Sequence, residues 1–161
     1  MSKEIHMKIK GLMLDPISNS PIVVLKDDDD ETFLPIWVGI FEANAIALQL
    51  EAVETPRPMT HDLLKNILGT LEASVSRVVI NDLQDSTFYA RIHMSFEGGE
   101  LEIDSRPSDA IALALRVEAP IFVADHVLDQ AQTIEPDEDT EEKMKKWLED
   151  ASPEDLGKYK M

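Results

Sequence analysis

Ile5, Met7 and Ile9 alternate with His6, Lys8 and Lys10, the period of two that marks a half-buried strand. Asp15-Pro16-Ile17-Ser18-Asn19-Ser20 interrupts it with turn chemistry, and Ile22-Val23-Val24-Leu25 predicts a short buried strand. Thr32 to Val38 predicts a third strand, in which Pro35 cannot donate to a ladder and so belongs at a sheet edge or a bulge. The spacing then becomes helical from about Phe41 to Ala52. The second half follows the same order. Strands are expected over Ser74–Asp82, Thr87–Phe96 and Leu101–Asp104, separated by turns at Gln84-Asp85-Ser86 and Glu97-Gly98-Gly99-Glu100, with a helix capped near Ser108. Between the halves, Leu63, Leu64, Ile67, Leu68 and Leu71 fall on one helical stripe, so Thr60 to Leu71 predicts a linking helix. Thr60 is its expected N-cap and Asp62 complements the dipole in its first turn. Ile121–Ala124 reads as a short strand, and His126 to Ala131 as a helical turn.

The two Ala/Leu helices repeat each other. Ala45-Ile46-Ala47-Leu48-Gln49-Leu50 recurs as Ala110-Ile111-Ala112-Leu113-Ala114-Leu115, and each runs into a Val-Glu-x-Pro exit at Val53 and Val117. Such self-similarity marks a duplicated supersecondary unit. The expected fold class is therefore α+β: a duplicated β-β-β-α unit (copies about 5–56 and 74–120) with a largely antiparallel sheet and a linking helix between the copies. These fill a single domain over 1–131, followed over 132–161 by an acidic linker, a short helix using Met144, Trp147 and Leu148, and a tail. The repeated helices are apolar on most faces and should be buried. A homo-oligomer interface would cover whatever the chain itself does not.

With 161 residues, 43% of them apolar, the chain is large enough for one domain with its own core. No apolar run approaches the ~20 residues of a membrane span, and Met1-Ser2-Lys3-Glu4 does not open a secretory signal. The absence of cysteine excludes disulfides, thiolate metal sites and a Cys nucleophile, and suits a cytoplasmic location. A net charge of −17 changes the picture more, because so acidic a surface repels a polyanion. Any nucleic-acid site would have to be a locally positive groove. The Asp27–Glu31 run lacks the spaced ligands and glycine of a calcium loop and reads as a solvated turn.

Polar residues concentrate at three junctions: Pro56 to Asp62, Phe88 to Arg91, and Glu102 to Asp109. Together they carry the residue types of phosphodiester hydrolysis. Asp104, Asp109, His61 and Asp62 are the candidate catalytic groups. Asp104, Asp109 and Glu102 are candidate ligands for a divalent metal, Mg or Mn. Arg57, Arg91 and Arg106 offer the fork-shaped donors that suit phosphate oxygens. Taken singly, each has a plainer explanation: Asp109, Thr60 and Ser108 as helix-start residues, Arg106 as a brace on Asp104 or Asp109, His61 as a capping or surface residue. No His-Glu-x-x-His, phosphate-cradling glycine loop or nucleophile elbow is present.

At these motifs the chain resembles the bifunctional nuclease domain family of bacteria and plants. The matching stretches are Leu34-Pro35-Ile36-Trp37-Val38-Gly39, Glu42-Ala43-x-Ala45-Ile46-Ala47-Leu48, Arg57-Pro58-Met59-Thr60-His61-Asp62, Phe88-Tyr89-Ala90-Arg91 and Asp104-Ser105-Arg106-Pro107-Ser108-Asp109-Ala110-Ile111-Ala112-Leu113. The resemblance implies an α+β domain that assembles as a homo-oligomer and a metal-dependent nuclease acting on DNA and RNA. It carries over no catalytic residue set, so the site choices rest on side-chain chemistry. The alternative is a non-catalytic oligomeric scaffold or a regulatory, partner-binding domain. Convergence of His61, Asp104, Arg106 and Asp109 on one cleft is the structural expectation that separates the two.

Overall fold

Strand β1 (Glu4–Leu14) turns into β2 (Pro21–Asp27) and then β3 (Phe33–Trp37), an antiparallel meander. A second meander joins β4 (Ser74–Gln84), β5 (Thr87–Phe96) and β6 (Gly99–Ser105). Helix α1 (Ile40–Leu50) follows the first and α3 (Pro107–Val117) the second, with α2 (Thr60–Thr70) between the halves. The short strand β7 (Ile121–Ala124) inserts between the meanders, antiparallel to β1 and parallel to β4, and α4 (Asp125–Gln130) follows it. The result is a mixed α+β fold: a seven-stranded, mostly antiparallel sheet in the order β3-β2-β1-β7-β4-β5-β6, with four helices among the described residues. This computed structural model describes residues 3–131; the acidic linker, helix and tail expected over 132–161 lie outside the described residues.

Local chemistry accounts for the departures from simple alternation. In β1 the register slips between Ile9 and Gly11, a bulge that reverses the phase and lets both Met7 and Leu12 reach the core. Strand β4 bulges twice, between Val75 and Arg77 and between Ile80 and Asp82. Its core residues accordingly switch parity from Val75 to Val78 and Ile80 and back to Leu83. These bulges carry β4 to Gln84, beyond its predicted end at Asp82. Asp85 and Ser86 then both take positive φ to make the hairpin turn. Pro35 lies on β3, the sheet edge, where its missing N–H costs no ladder bond.

Helices α1 and α3 pack on each other, α1 also on β2 and α3 on β4 and β5. Ile46 and Ile111, both fully buried, join Leu12, Val23, Leu25, Leu34, Val78, Ile80 and Val123 in one core. Helix α2 packs chiefly on α3 and buries little of its own stripe: Leu63, Leu64, Ile67 and Leu71 remain exposed. Its predicted cap is displaced by one residue. Met59 is the N-cap and Thr60 the first helical residue, because the Met59 N–H, rather than the Thr60 hydroxyl, is tied to the helix, donating to Asp62 Oδ2 at 3.0 Å. Similarly Arg106, not Ser108, caps α3, since Pro107 at N1 needs no N–H partner.

The Val-Glu-x-Pro exits also differ in geometry. Ala52, before Val53, is the left-handed residue after α1, whereas Glu118, after Val117, is the left-handed residue after α3. In both cases the next N–H bonds back into the helix, Val53 to Leu48 O at 2.9 Å and Ala119 to Ala114 O at 3.0 Å.

Candidate functional site

Three helix starts meet at one place. Gly39, Met59 and Arg106 are extended N-cap residues, and each releases a first turn that carries an acidic side chain, Glu42, Asp62 and Asp109 respectively. Helix N-termini present unsatisfied N–H groups and positive dipole ends, so acids there are locally favoured and an anion is attracted. Phe41, Asn44 and Ala45 of α1, Met59, Thr60 and His61 at the start of α2, and Arg106 and Asp109 of α3 are among the residues lining a cleft of about 360 Å³ between them.

A chain of ionic contacts runs across this cleft. His61 Nε2 lies 2.9 Å from Asp109 Oδ1, and Arg106 Nε donates to Asp109 Oδ2 at 2.9 Å. Arg106 Nη2 also donates to Glu42 Oε1. Asp109 first, then Glu42, hold the guanidinium more firmly charged than usual through these bonds. Neither carboxylate takes the Arg106 Nη1 group, and the side chain is 65% exposed, so donors remain turned toward solvent. Arg106 also lines a second cleft, of about 280 Å³, with Trp37 and Phe88. His61, by contrast, is buried, the only residue of α2 that is.

Asp62 is adjacent to His61 in sequence but belongs to a different network. Its Oδ2 caps Met59, and its Oδ1 accepts from Arg116 Nε at 2.8 Å. Arg116 is 5% exposed; it also donates to Ala112 O at 2.8 Å and to Ala45 O at 2.9 Å, so one guanidinium ties α1, α2 and α3 together. Burial is the largest influence on the Asp62 carboxyl and opposes its charge. The Met59 N–H and the Arg116 guanidinium outweigh it, and the pKa falls below 3.8.

The remaining predicted residues lie elsewhere. Ala90 and Ile92 of β5 enter the core, so Arg91 and His93 project from the opposite face of the sheet. There Glu102 sits 3.6 Å from Arg91 and 3.5 Å from His93, and Asp104 is in register with Arg91 on the exposed edge strand β6. Arg57 is exposed on the loop before α2, where its carbonyl accepts the Thr55 hydroxyl. Of the four residues expected to converge, His61, Arg106 and Asp109 do and Asp104 does not. Nor do Glu102, Asp104 and Asp109 form a ligand set: among the described residues no group of three His, Asp or Glu side chains is arranged to hold a metal ion. Where the carboxylates Glu42 and Asp109 approach each other, the cation between them is Arg106. Sequence reasoning gave no role to Glu42, Asn44, Phe41 or Arg116; the acid in a first helical turn was the one available signal, and it pointed to Glu42.

The bifunctional nuclease domain model matches residues 23–136, and the chain belongs to that family. It is 39% identical over 162 residues to an uncharacterized protein of Mycobacterium tuberculosis, spanning 94% of this chain and 97% of that one. Bifunctional nuclease 1 of Oryza sativa subsp. japonica is 29% identical over 112 residues, and bifunctional nuclease 2 of the same plant 28% over 123. The matched segments cover 68% and 74% of this chain but only 34% and 38% of the plant proteins. Among the described residues no helix is long and apolar enough to cross a membrane.

Proposed function

We propose that the cleft at the three helix starts is a nuclease active site that cleaves phosphodiester bonds of nucleic acid, as the family's name and the plant relatives' names suggest. The observation that carries this reading is the His61–Asp109–Arg106 constellation, an imidazole and a guanidinium fixed by the two oxygens of one carboxylate. With the Nε2 proton given to Asp109, Nδ1 of His61 is the basic nitrogen that takes a proton from the attacking hydroxyl or water. Asp109 then stabilises the imidazolium. Arg106, through its solvent-facing donors, and the helix N-termini balance the charge gathering on the phosphorus oxygens. Because Arg106 is shared with Glu42 and Asp109, these donors offset the negative charge of the cleft, on a chain of net charge −17, and do not reverse it.

Among the described residues no three His, Asp or Glu side chains are grouped to hold the Mg or Mn ion expected from the sequence, and the residues above act without one in this reading. Labelled single-stranded and duplex DNA and RNA, incubated with wild type and His61→Gln in EDTA and then in millimolar Mg or Mn, test both points. Cleavage abolished by the substitution supports the site; undiminished cleavage by His61→Gln removes it.

The second expectation, oligomeric assembly, rests on α2. Leu63, Leu64, Ile67 and Leu71 are 41–55% exposed on one helix, an apolar stripe that a second copy of this chain would cover. We also read the two β-β-β-α halves as copies of one duplicated unit, and the lack of cysteine as suited to the cytoplasm. Light scattering of Leu63→Glu against wild type tests the interface; an unchanged mass would exclude this face.

A further inference from the structure

Arg106 lines two clefts, and the chemistry proposed above uses only the one that holds His61. The other, of about 280 Å³, lies between the end of β3, the β4–β5 turn and the start of α3. Trp37, the last residue of β3, brings to it an indole that is 50% exposed. The indole Nε1–H donates to Asp15 Oδ2 at 2.9 Å, which anchors the edge of the ring, while among the described residues no other ring and no cation is stacked on it. A half-exposed ring held in a fixed orientation is a preformed stacking plate. Ser108 sits on the first turn of α3 and lines the same cleft. It is 6% exposed, yet its hydroxyl makes no hydrogen bond among the described residues, and unlike the amide oxygens of Asn44 and Asn81 it is not sealed from solvent. A hydroxyl so placed, beside a helix N-terminus and a guanidinium, completes a donor set for an anion.

We propose that this second cleft is a nucleotide subsite beside the reactive phosphate: one unpaired base stacks on Trp37, and its phosphate is held by Arg106 and the Ser108 hydroxyl. The proposal rests on the nuclease reading for the identity of the ligand and adds its form, a single strand or a frayed end. In a duplex both faces of an interior base are already stacked, so none is offered to the indole. Every base has a π-face, so the subsite takes purines and pyrimidines alike and reads no sequence. Stacking also answers the charge of the molecule. On a chain of net charge −17, whose Arg106 is shared with two carboxylates, attraction for phosphate does not by itself hold a strand, and an uncharged contact must contribute.

The chain has two tryptophans, so Trp147→Phe leaves Trp37 as the sole indole reporter. In that background, with His61→Gln to prevent turnover, dT10 should quench the Trp37 emission to a saturating level. An abasic strand of the same length, long duplex DNA at equal nucleotide concentration and inorganic phosphate should not. Trp37→Leu should weaken dT10 binding about tenfold by anisotropy of a labelled strand, in line with base–aromatic stacking. Ser108→Ala should weaken binding too, but leave the quenching at saturation unchanged. The quenching needs no substitution at position 37, so it tests the subsite even where Trp37→Leu loses the fold; melting curves check each variant. No quenching by dT10, or an abasic strand bound as tightly as dT10, overturns the proposal. Cleavage by protein with His61 intact is scored separately. Cleavage without quenching defeats the subsite and leaves the nuclease reading standing; quenching by dT10 without cleavage of any substrate does the reverse.

Discussion

His61 Nε2 and Asp109 Oδ1 stand 2.9 Å apart although 48 positions separate them in the chain. The contact exists because α2 packs on α3 and both begin at the same cleft. Asp109→Asn keeps the size of the side chain but removes the charge that fixes the imidazole tautomer and balances Arg106. We expect cleavage to fall by about 10²-fold or more, within the range of general acid–base contributions. Asp104→Asn, on the far edge strand, should leave the rate within about twofold of wild type. Initial rates on one labelled oligonucleotide decide both; equal loss in the two variants would count against the cleft as the proposed catalytic site.

Arg116 and Asp62 hold the platform on which that cleft is built. Removing the guanidinium in Arg116→Ala opens a void, leaves the Ala45 and Ala112 carbonyls without it, and strands Asp62. Because Asp62 stays about a third exposed, the loss belongs below the full figure for a broken buried pair, about 2–3 kcal/mol. Urea unfolding measures it. The pair also sets an acid dependence. Asp62 is lowered in the folded state, so its contribution is complete above the unfolded carboxyl value of about 3.9 and disappears as the pH falls through the lower folded value. Melting curves from about pH 6 down to 2 should show a smaller acid-induced drop for Asp62→Asn than for wild type.

The sheet was legible in the sequence wherever side-chain period and turn chemistry agreed. Thr87–Phe96 has the observed bounds of β5, and Pro35 correctly marked an edge. Bulges hid the rest, since the slips in β1 and β4 break the alternation that reveals a strand. The site was half legible. His61, Arg106 and Asp109 stood out as functional types at helix starts. Asp104 and Glu102 also stood out, but strand parity sends them and Arg91 away from α3, and parity at β6 cannot be read when all its positions are exposed or nearly so. Arg116 was invisible because its role depends on which helices meet: a lone basic residue in a last turn normally answers the dipole in solvent.

Gly39 is tied to the site through Glu42. A Cβ built on Gly39 would collide with the Glu42 carboxylate, which folds back over this N-cap while bonding Arg106. The backbone of Gly39 is ordinary extended chain, so Gly39→Ala is not strained in itself. The flexible carboxylate is what must move. The fold should survive with its melting temperature within a few degrees, while Glu42 leaves Arg106 and phosphate affinity rises as one competing anion departs. Inorganic phosphate inhibition of cleavage, stronger in Gly39→Ala than in wild type, is the readout; identical inhibition would show that Glu42 does not compete.

Two helix ends invite opposite changes. Gly69 lies inside α2, with nothing within 4 Å of the place its Cβ would occupy, so Gly69→Ala meets no clash and gains helix propensity of about 0.8–1 kcal/mol. Glu118 sits just past α3 at φ 57°, the left-handed region where a Cβ is penalised by roughly 1–2 kcal/mol. Glycine there relieves that cost but loses chain entropy on folding, leaving a net gain of about 0.5–1 kcal/mol. Two controls bound these gains: Glu118→Ala, which keeps the Cβ, gains nothing from the backbone, and a β-branched residue such as valine at position 69 gains less than alanine. Urea midpoints for the four variants provide the check. A destabilised Glu118→Gly would mean that the left-handed end of α3 is held by contacts of the glutamate side chain rather than tolerated despite it.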